Sequence, residues 1–161
     1  MSIEYIPFEA DLVWLDPDLV LVSSANFLSS VRDAGRSNDV LQILSILDRY
    51  AGSFAPEFEY EEWAIAWRTR VQVAFLEFSH TSVSSLLQQQ RFADARDVAL
   101  RALETEPEAR DVERKLVAIY WKLGSRAAAA AQYEHFASQE RSDGVEPPSL
   151  DELCEEEIPE P

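Results

Sequence analysis

A shift of 34 residues lays the second half of this chain on itself, and no other feature limits the possible folds as strongly. Under that shift Leu86 meets Tyr120, Ala95 meets Ala129, Ala99 meets Tyr133 and Ala102 meets Phe136. A fixed period of this length marks one supersecondary unit built twice, each copy carrying an apolar face that it cannot bury alone. Within each copy the apolar residues recur at helical spacing, so the unit is a helical hairpin. The first hairpin, 79–107, pairs the end of a long helix with Phe92 to Glu104 through a Gln-Gln-Gln-Arg turn, and Pro107 closes it. The second, 110–141, pairs Arg110 to Leu123 with Arg126 to Gln139 through Gly124 and Ser125. Small Ala95 and Ala129 lie early in each second helix, where two helices must approach closely, and the larger partners fill the space between units.

Glycine and proline, the two residues most hostile to helix interiors, punctuate the rest. All four glycines and all eight prolines fall between apolar-periodic segments. Ser23 or Ser24 is placed to cap a first helix carrying Phe27, Leu28 and Val31 that stops before Gly35. A second helix from near Ser37 to Gly52 puts Val40, Leu41, Leu44 and Leu47 on one face. A long helix from Tyr60 to about Gln89 carries the stripe Trp63, Trp67, Val71, Phe75 and Phe78, whose spacing predicts core packing. Residues 3–22 differ: two short apolar runs around Asp16-Pro17-Asp18 predict a small hairpin. The expected fold is therefore all-α, an array of helical hairpins with about six to seven helices and a small N-terminal hairpin.

At 161 residues the chain suits one compact domain, because a chain this long buries roughly 68–70% of its unfolded surface. One cysteine, Cys154, closes no intramolecular disulfide, and no Cys/His cluster offers zinc four ligands. The start has no basic region followed by an apolar run, and no apolar stretch approaches the roughly 18–20 residues that span a bilayer, so a reducing cytoplasm is expected. The net charge of −16 opposes nucleic-acid binding, which depends on clustered Lys and Arg. Half of that charge comes from eight acidic residues between Asp143 and Pro161, a segment without Lys or Arg. Residues 1–142 are thus read as one helical domain and 143–161 as an acidic, disordered tail, with weak ion binding or contact with a basic surface as the alternative for Glu155-Glu156-Glu157.

In outline the two hairpins resemble the tetratricopeptide repeat, whose stacked hairpins serve as peptide-binding scaffolds. The repeat's Trp, Leu and Gly early in the first helix are replaced by Ser79, Ser82 and Val83 in one unit and by Glu113, Leu116 and Val117 in the other. A closer likeness follows from segments read in order. Asp48 to Phe54 (DRYAGSF), Tyr60 to Trp63 (YEEW), Trp67 to Arg70 (WRTR) and Arg91 to Ala95 (RFADA) come first. Ala102 to Pro107 (ALETEP), Leu123 to Arg126 (LGSR), Tyr133-Glu134 and Gly144 to Pro148 (GVEPP) follow. Over roughly Leu12 to Leu153 this order resembles the bacterial transcriptional activator domain of the Streptomyces antibiotic regulatory protein family and relatives. In those regulators the domain follows a winged-helix DNA reader, whereas here fewer than 25 residues precede the first helix. That implies either a piece of a longer regulator or a stand-alone protein acting through a partner.

Little in the chain points to catalysis. His80 and His135 lie on different helices without a nucleophile elbow, and acidic pairs such as Glu61/Glu62 or Asp94/Asp97 suit helix dipoles and solvated faces. No cofactor loop and no metal-ligand motif is present. The resemblance implies a protein-interaction module of a transcriptional regulator, working through self-association into a homo-oligomer or contact with the transcription machinery. The alternative is a tetratricopeptide-like adaptor for a peptide or protein unrelated to transcription. By analogy with the repeat, the concave face holds Glu77, His80, Ser84 and Leu87 in one unit and Asp111, Arg114, Ala118 and Trp121 in the other. Arg114 and Trp121 are the expected partner contacts, since arginine and aromatics dominate interface hot spots; packing of Trp121 on the following helix is the competing expectation. The charge argument predicts no gel shift of duplex DNA by the isolated chain at physiological salt, and tight binding there would refute it.

Overall fold

A computed structural model describes residues 8–9, 12–13, 22–35, 38–54 and 56–158. Strands β1 (Phe8–Glu9) and β2 (Leu12–Val13) pair antiparallel, with Phe8 opposite Val13. Seven helices follow among the described residues: α1 (Ser23–Ala34), α2 (Val40–Leu47), α3 (Glu62–Gln88), α4 (Phe92–Thr105), α5 (Arg110–Lys122), α6 (Arg126–Ser142) and α7 (Leu150–Glu157). A short 3-10 turn, Pro56–Phe58, leads into α3. The architecture is a tetratricopeptide-like helical array. Its small strand pair lies earlier than expected, because the Leu12-Val13 run pairs with Phe8-Glu9; residues 16–21 of the anticipated hairpin lie outside the described residues.

The N-terminal half is organised by three rings. Phe27 of α1, Tyr50 after α2 and Phe75 of α3 pack with centroids 4.4–6.3 Å apart, all buried. Burying one such ring is worth roughly 1.5–3 kcal/mol. The Tyr50 hydroxyl donates to Glu106 Oε1 at the end of α4, and Gln72 Nε2 donates to the other carboxylate oxygen at 3.1 Å. Four helices therefore meet at one apolar cluster with a satisfied polar rim. Burial, reinforced by the Glu106 carboxylate, holds the tyrosine hydroxyl well above its ordinary pKa.

These rings also decide which face of α2 turns inward. The expected face contained Leu41, but Leu41 is 78% exposed and the buried residues are Ile43, Ile46 and Leu47, continued by Tyr50. Both faces have helical spacing and share Leu47; the one that ends on Tyr50 wins because it joins the ring cluster. The cap of α1 also differs: neither serine caps it, and Ser24 Oγ instead accepts a hydrogen bond from Trp67 Nε1 at 2.9 Å. The α3 stripe is buried from Val71 onward, with Trp67 half-buried against the core. Trp63 remains 55% exposed and leans on Phe58 and Phe54, while Ala64 beside it is the residue of the first turn that is buried. Arg68 moors the preceding loop by donating from Nε to the Phe54 carbonyl at 2.9 Å.

The two hairpins repeat down to their turns. At the end of α3, Gln90 N donates to Leu87 O and Arg91 N to Leu86 O; after α5, 34 residues later, Gly124 N donates to Trp121 O and Ser125 N to Tyr120 O. This pair of bonds is the Schellman ending, which needs a left-handed residue. Gly124 supplies it at φ +76°, and Gln90 is driven to φ +59°, the one non-glycine positive φ among the described residues. Ala95 and Ala129, fully buried, allow α4 and α6 to approach their partner helices closely.

Residues 143–158 do not form the irregular tail expected from their charge, and residues 159–161 of that expected tail lie outside the described residues. Ser149 begins α7 with a reciprocal capping box to Glu152, Tyr133 fixes the connector by donating its hydroxyl to Pro148 O at 2.8 Å, and Leu153 and Cys154 are buried against α5. Composition misled here because the acidic side chains occupy one face of an amphipathic helix whose other face is apolar. The helical body thus continues past residue 142 to Glu157. Adding 34 to Leu116, Ile119 and Tyr120 reaches Leu150, Leu153 and Cys154, so α7 follows α5 as α5 follows α3.

The strained turn yields a prediction. A left-handed non-glycine residue costs roughly 1–2 kcal/mol and glycine loses about 0.5–1 kcal/mol of chain entropy, so Gln90→Gly should stabilise the protein by about 0.5–1 kcal/mol in urea unfolding.

Candidate functional site

The residues expected on the concave face divide into three groups. Glu77 and His80 of α3 and Asp111 of α5 come together at a cleft of about 340 Å³, floored by Leu76, Ala109 and Val112. Ser84 and Leu87 line a second cleft, of about 570 Å³, beside Phe92, Lys115 and Ile158. Arg114, Ala118 and Trp121 are engaged by α7. Arg114 donates to Glu156 Oε2 at 2.7 Å and to Glu157 Oε1 at 3.1 Å, and Lys115 Nζ reaches Glu157 Oε2 at 2.7 Å. Ala118 is fully buried with Val117, Phe136 and Leu153, and Trp121 packs on that cluster. The Arg126 guanidinium stacks 3.5 Å above the centre of the Trp121 ring. Of the pair expected to meet a partner, Arg114 is therefore occupied by the chain's own C-terminal helix and Trp121 by Arg126 of the following helix α6, the competing expectation for that ring.

One polar cluster was not anticipated as a site. Glu113 takes the place at which the repeat has its large aromatic, and it is 1% exposed. Its Oε1 accepts from Gln132 Nε2 at 2.7 Å and pairs with His135 Nδ1 at 2.6 Å. His135 Nε2 lies 3.3 Å from Gln139 Nε2. Glu113 Oε2 and Gln139 Oε1 are buried without a hydrogen-bond partner among the described residues. Burial of an incompletely paired carboxylate costs on the order of several kcal/mol. The signal that would have found it is the 34-residue shift itself, which sets Glu113 against Ser79, a small buried residue that bonds its own helix at Phe75 O.

Among the described residues, no group of three or more His, Cys, Asp or Glu side chains is placed to hold a metal ion. No helix among them is long and apolar enough to cross a membrane. The family model for the bacterial transcriptional activator domain matches residues 28–157, from the middle of α1 to the last residue of α7. The chain belongs to that family. No curated protein and no solved structure matches it. Because the match runs to Glu157, the acidic helix α7 belongs to the activator domain itself. The family is one of transcriptional regulation, in line with the regulator module that the ordered segments implied.

The seat of α7 can be read through Cys154. Burial, followed by the nearby Asp151 charge, raises its thiol pKa against the weaker opposing pull of Arg126 and Lys122. At pH 8 the thiolate is therefore scarcer than in a free cysteine, and labelling by a disulfide reagent should be slower by roughly tenfold or more. Leu153→Ala, which removes about 2–5 kcal/mol of packing, should restore fast labelling. Fast labelling of the unmodified chain would show that α7 does not stay seated.

Proposed function

We propose that this activator domain is the non-catalytic protein-interaction module of a bacterial transcriptional regulator, acting in the cytoplasm by self-association or by contact with the transcription machinery. The observation that carries the reading is the family match over residues 28–157, nearly the whole helical body. The charge of −16 supports a role in which another polypeptide reads DNA.

The cleft at Glu77, His80 and Asp111 is the partner surface we favour, with Ser84 and Leu87 extending it along α3. Glu77, Glu108 and Asp111 line or flank the cleft with no ion pair recorded among the described residues, while the adjacent Arg110 is held by Glu140 at 2.8 Å and Asp143 at 2.7 Å. Such a surface suits a partner segment rich in Lys or Arg. Arg114 and Trp121 join it only where α7 is displaced. An adaptor for an unrelated peptide would use the same cleft, and the identity of the partner separates the two readings.

Affinity capture with the full chain should retain RNA polymerase subunits or a DNA-binding regulator subunit, or else sedimentation should show a discrete homo-oligomer. Replacing Glu77 and Asp111 together by Lys should weaken that association by about tenfold or more with the thermal midpoint unchanged, since rim charges act on association rather than on the fold. Recovery of an unrelated client alone would sink the regulator reading, and full retention by the double variant would sink this surface.

A further inference from the structure

The 34-residue repeat puts Ser79 and Glu113 at one structural position, yet the two solve its packing differently. Ser79 is small, fully buried and bonded to Phe75 O at 2.7 Å, so nothing is left over. Glu113 brings a carboxylate to the same depth, and its neighbours satisfy only half of it. Gln132 donates to Oε1 and His135 Nδ1 pairs with the same oxygen, while Oε2 has no partner among the described residues. Bracing α5 to α6 would require one acceptor oxygen and no charge. The second oxygen and the charge remain unexplained by the fold.

The same residue lines a crevice of about 280 Å³ between the two hairpins. Leu100 and Leu103 of α4, Pro107 of the connector and Leu116 of α5 give it apolar walls. Glu104, Gln132 and His135 supply its polar lining. The volume lies just below the roughly 300–1,000 Å³ of sites for drug-sized ligands, so it suits a short molecule or one long side chain. Both carboxylates repel an anion. A neutral apolar guest would leave Oε2 unpaired, and a metal ion would lack a set of three ligands among the described residues.

We infer that this crevice binds an organic cation, an ammonium or guanidinium group carried on an apolar stem, with the charged head on Glu113 and the stem between Leu100, Leu103 and Leu116. The head donates N–H to the oxygen that lacks a donor, a charge-assisted bond at the buried end of a crevice whose mouth, at Leu100, Glu104 and His135, is open to water. The stem covers the leucines. Such a group can come from a free polyamine-like metabolite or from a Lys or Arg side chain of another polypeptide. The site is separate from the Glu77 cleft, and failure of the capture experiment would leave it standing.

The test titrates the full isotope-labelled chain with agmatine and with cadaverine at constant ionic strength, up to about 10 mM, the range in which a lone charge-assisted contact registers. Saturable shifts should appear at Glu113, Gln132 and His135, with a rise in thermal midpoint. Glu113→Gln, nearly isosteric, should stay folded by circular dichroism and lose affinity by about tenfold or more. Leu103→Trp, which fills the crevice and keeps the carboxylate, should abolish the shifts. A capped Leu-Arg amide that competes with agmatine identifies a polypeptide side chain as the natural occupant; exclusion of the peptide with agmatine still bound identifies a free amine. Absence of saturable shifts with both amines, or an unchanged titration in Glu113→Gln, would overturn the inference.

Discussion

Leu116, Val117, Ala118 and Ile119 are four successive residues of α5, and all are fully buried. Four successive helical positions span more than one face, so the helix can satisfy them only by being enclosed. α3 and α4 close on it from the first hairpin, α6 from its own hairpin, and α7 from the C-terminal side. Each surface discussed above is defined by what this enclosure leaves open. The Glu77 cleft is the seam between α3 and the start of α5, the α7 seat is the side that the first hairpin does not reach, and the Glu113 crevice is the gap between α4 and α6.

Electrostatics follow from the same arrangement. Arg110, Arg114 and Lys115, all on α5, are drawn to Glu140, Asp143, Glu156 and Glu157. The outer pair Arg114–Glu156 is of the exposed kind that contributes only about 0–1 kcal/mol, whereas Lys115 and Glu157 meet largely out of water and fix where the end of α7 lies. Its apolar contacts through Leu153 and Cys154 supply most of the attachment. With only 14 basic residues in the chain, committing several of them to internal pairs leaves the outer field dominated by carboxylates.

The sequence was most legible where the period governs. Helices α4, α5 and α6 lie where the 34-residue shift put them, whereas the left-handed conformation of Gln90 was not read from the sequence. It was least legible where two faces of one helix were both apolar, as in α2, and where a stripe left a large ring exposed, as at Trp63. The acidic stretch was misread because charge density says nothing about which side of a helix the charges occupy. The expected concave residues were scattered in the same way: Glu77, His80 and Asp111 share a cleft, whereas Arg114 faces a segment far along the chain and Trp121 lies under Arg126 of the next helix. Glu113 was visible as a departure from the repeat, but its incomplete pairing belongs to tertiary structure.

In a stack of hairpins, the last apolar surface is a template on which another hairpin, or another molecule, can continue the series. In this protein α7 occupies that surface with two turns of helix whose far side is acidic. A third hairpin cannot dock on α5 while it sits there, and copies meeting end to end through this face would set carboxylate against carboxylate. The short acidic helix thus replaces an apolar face of α5 with a charged one.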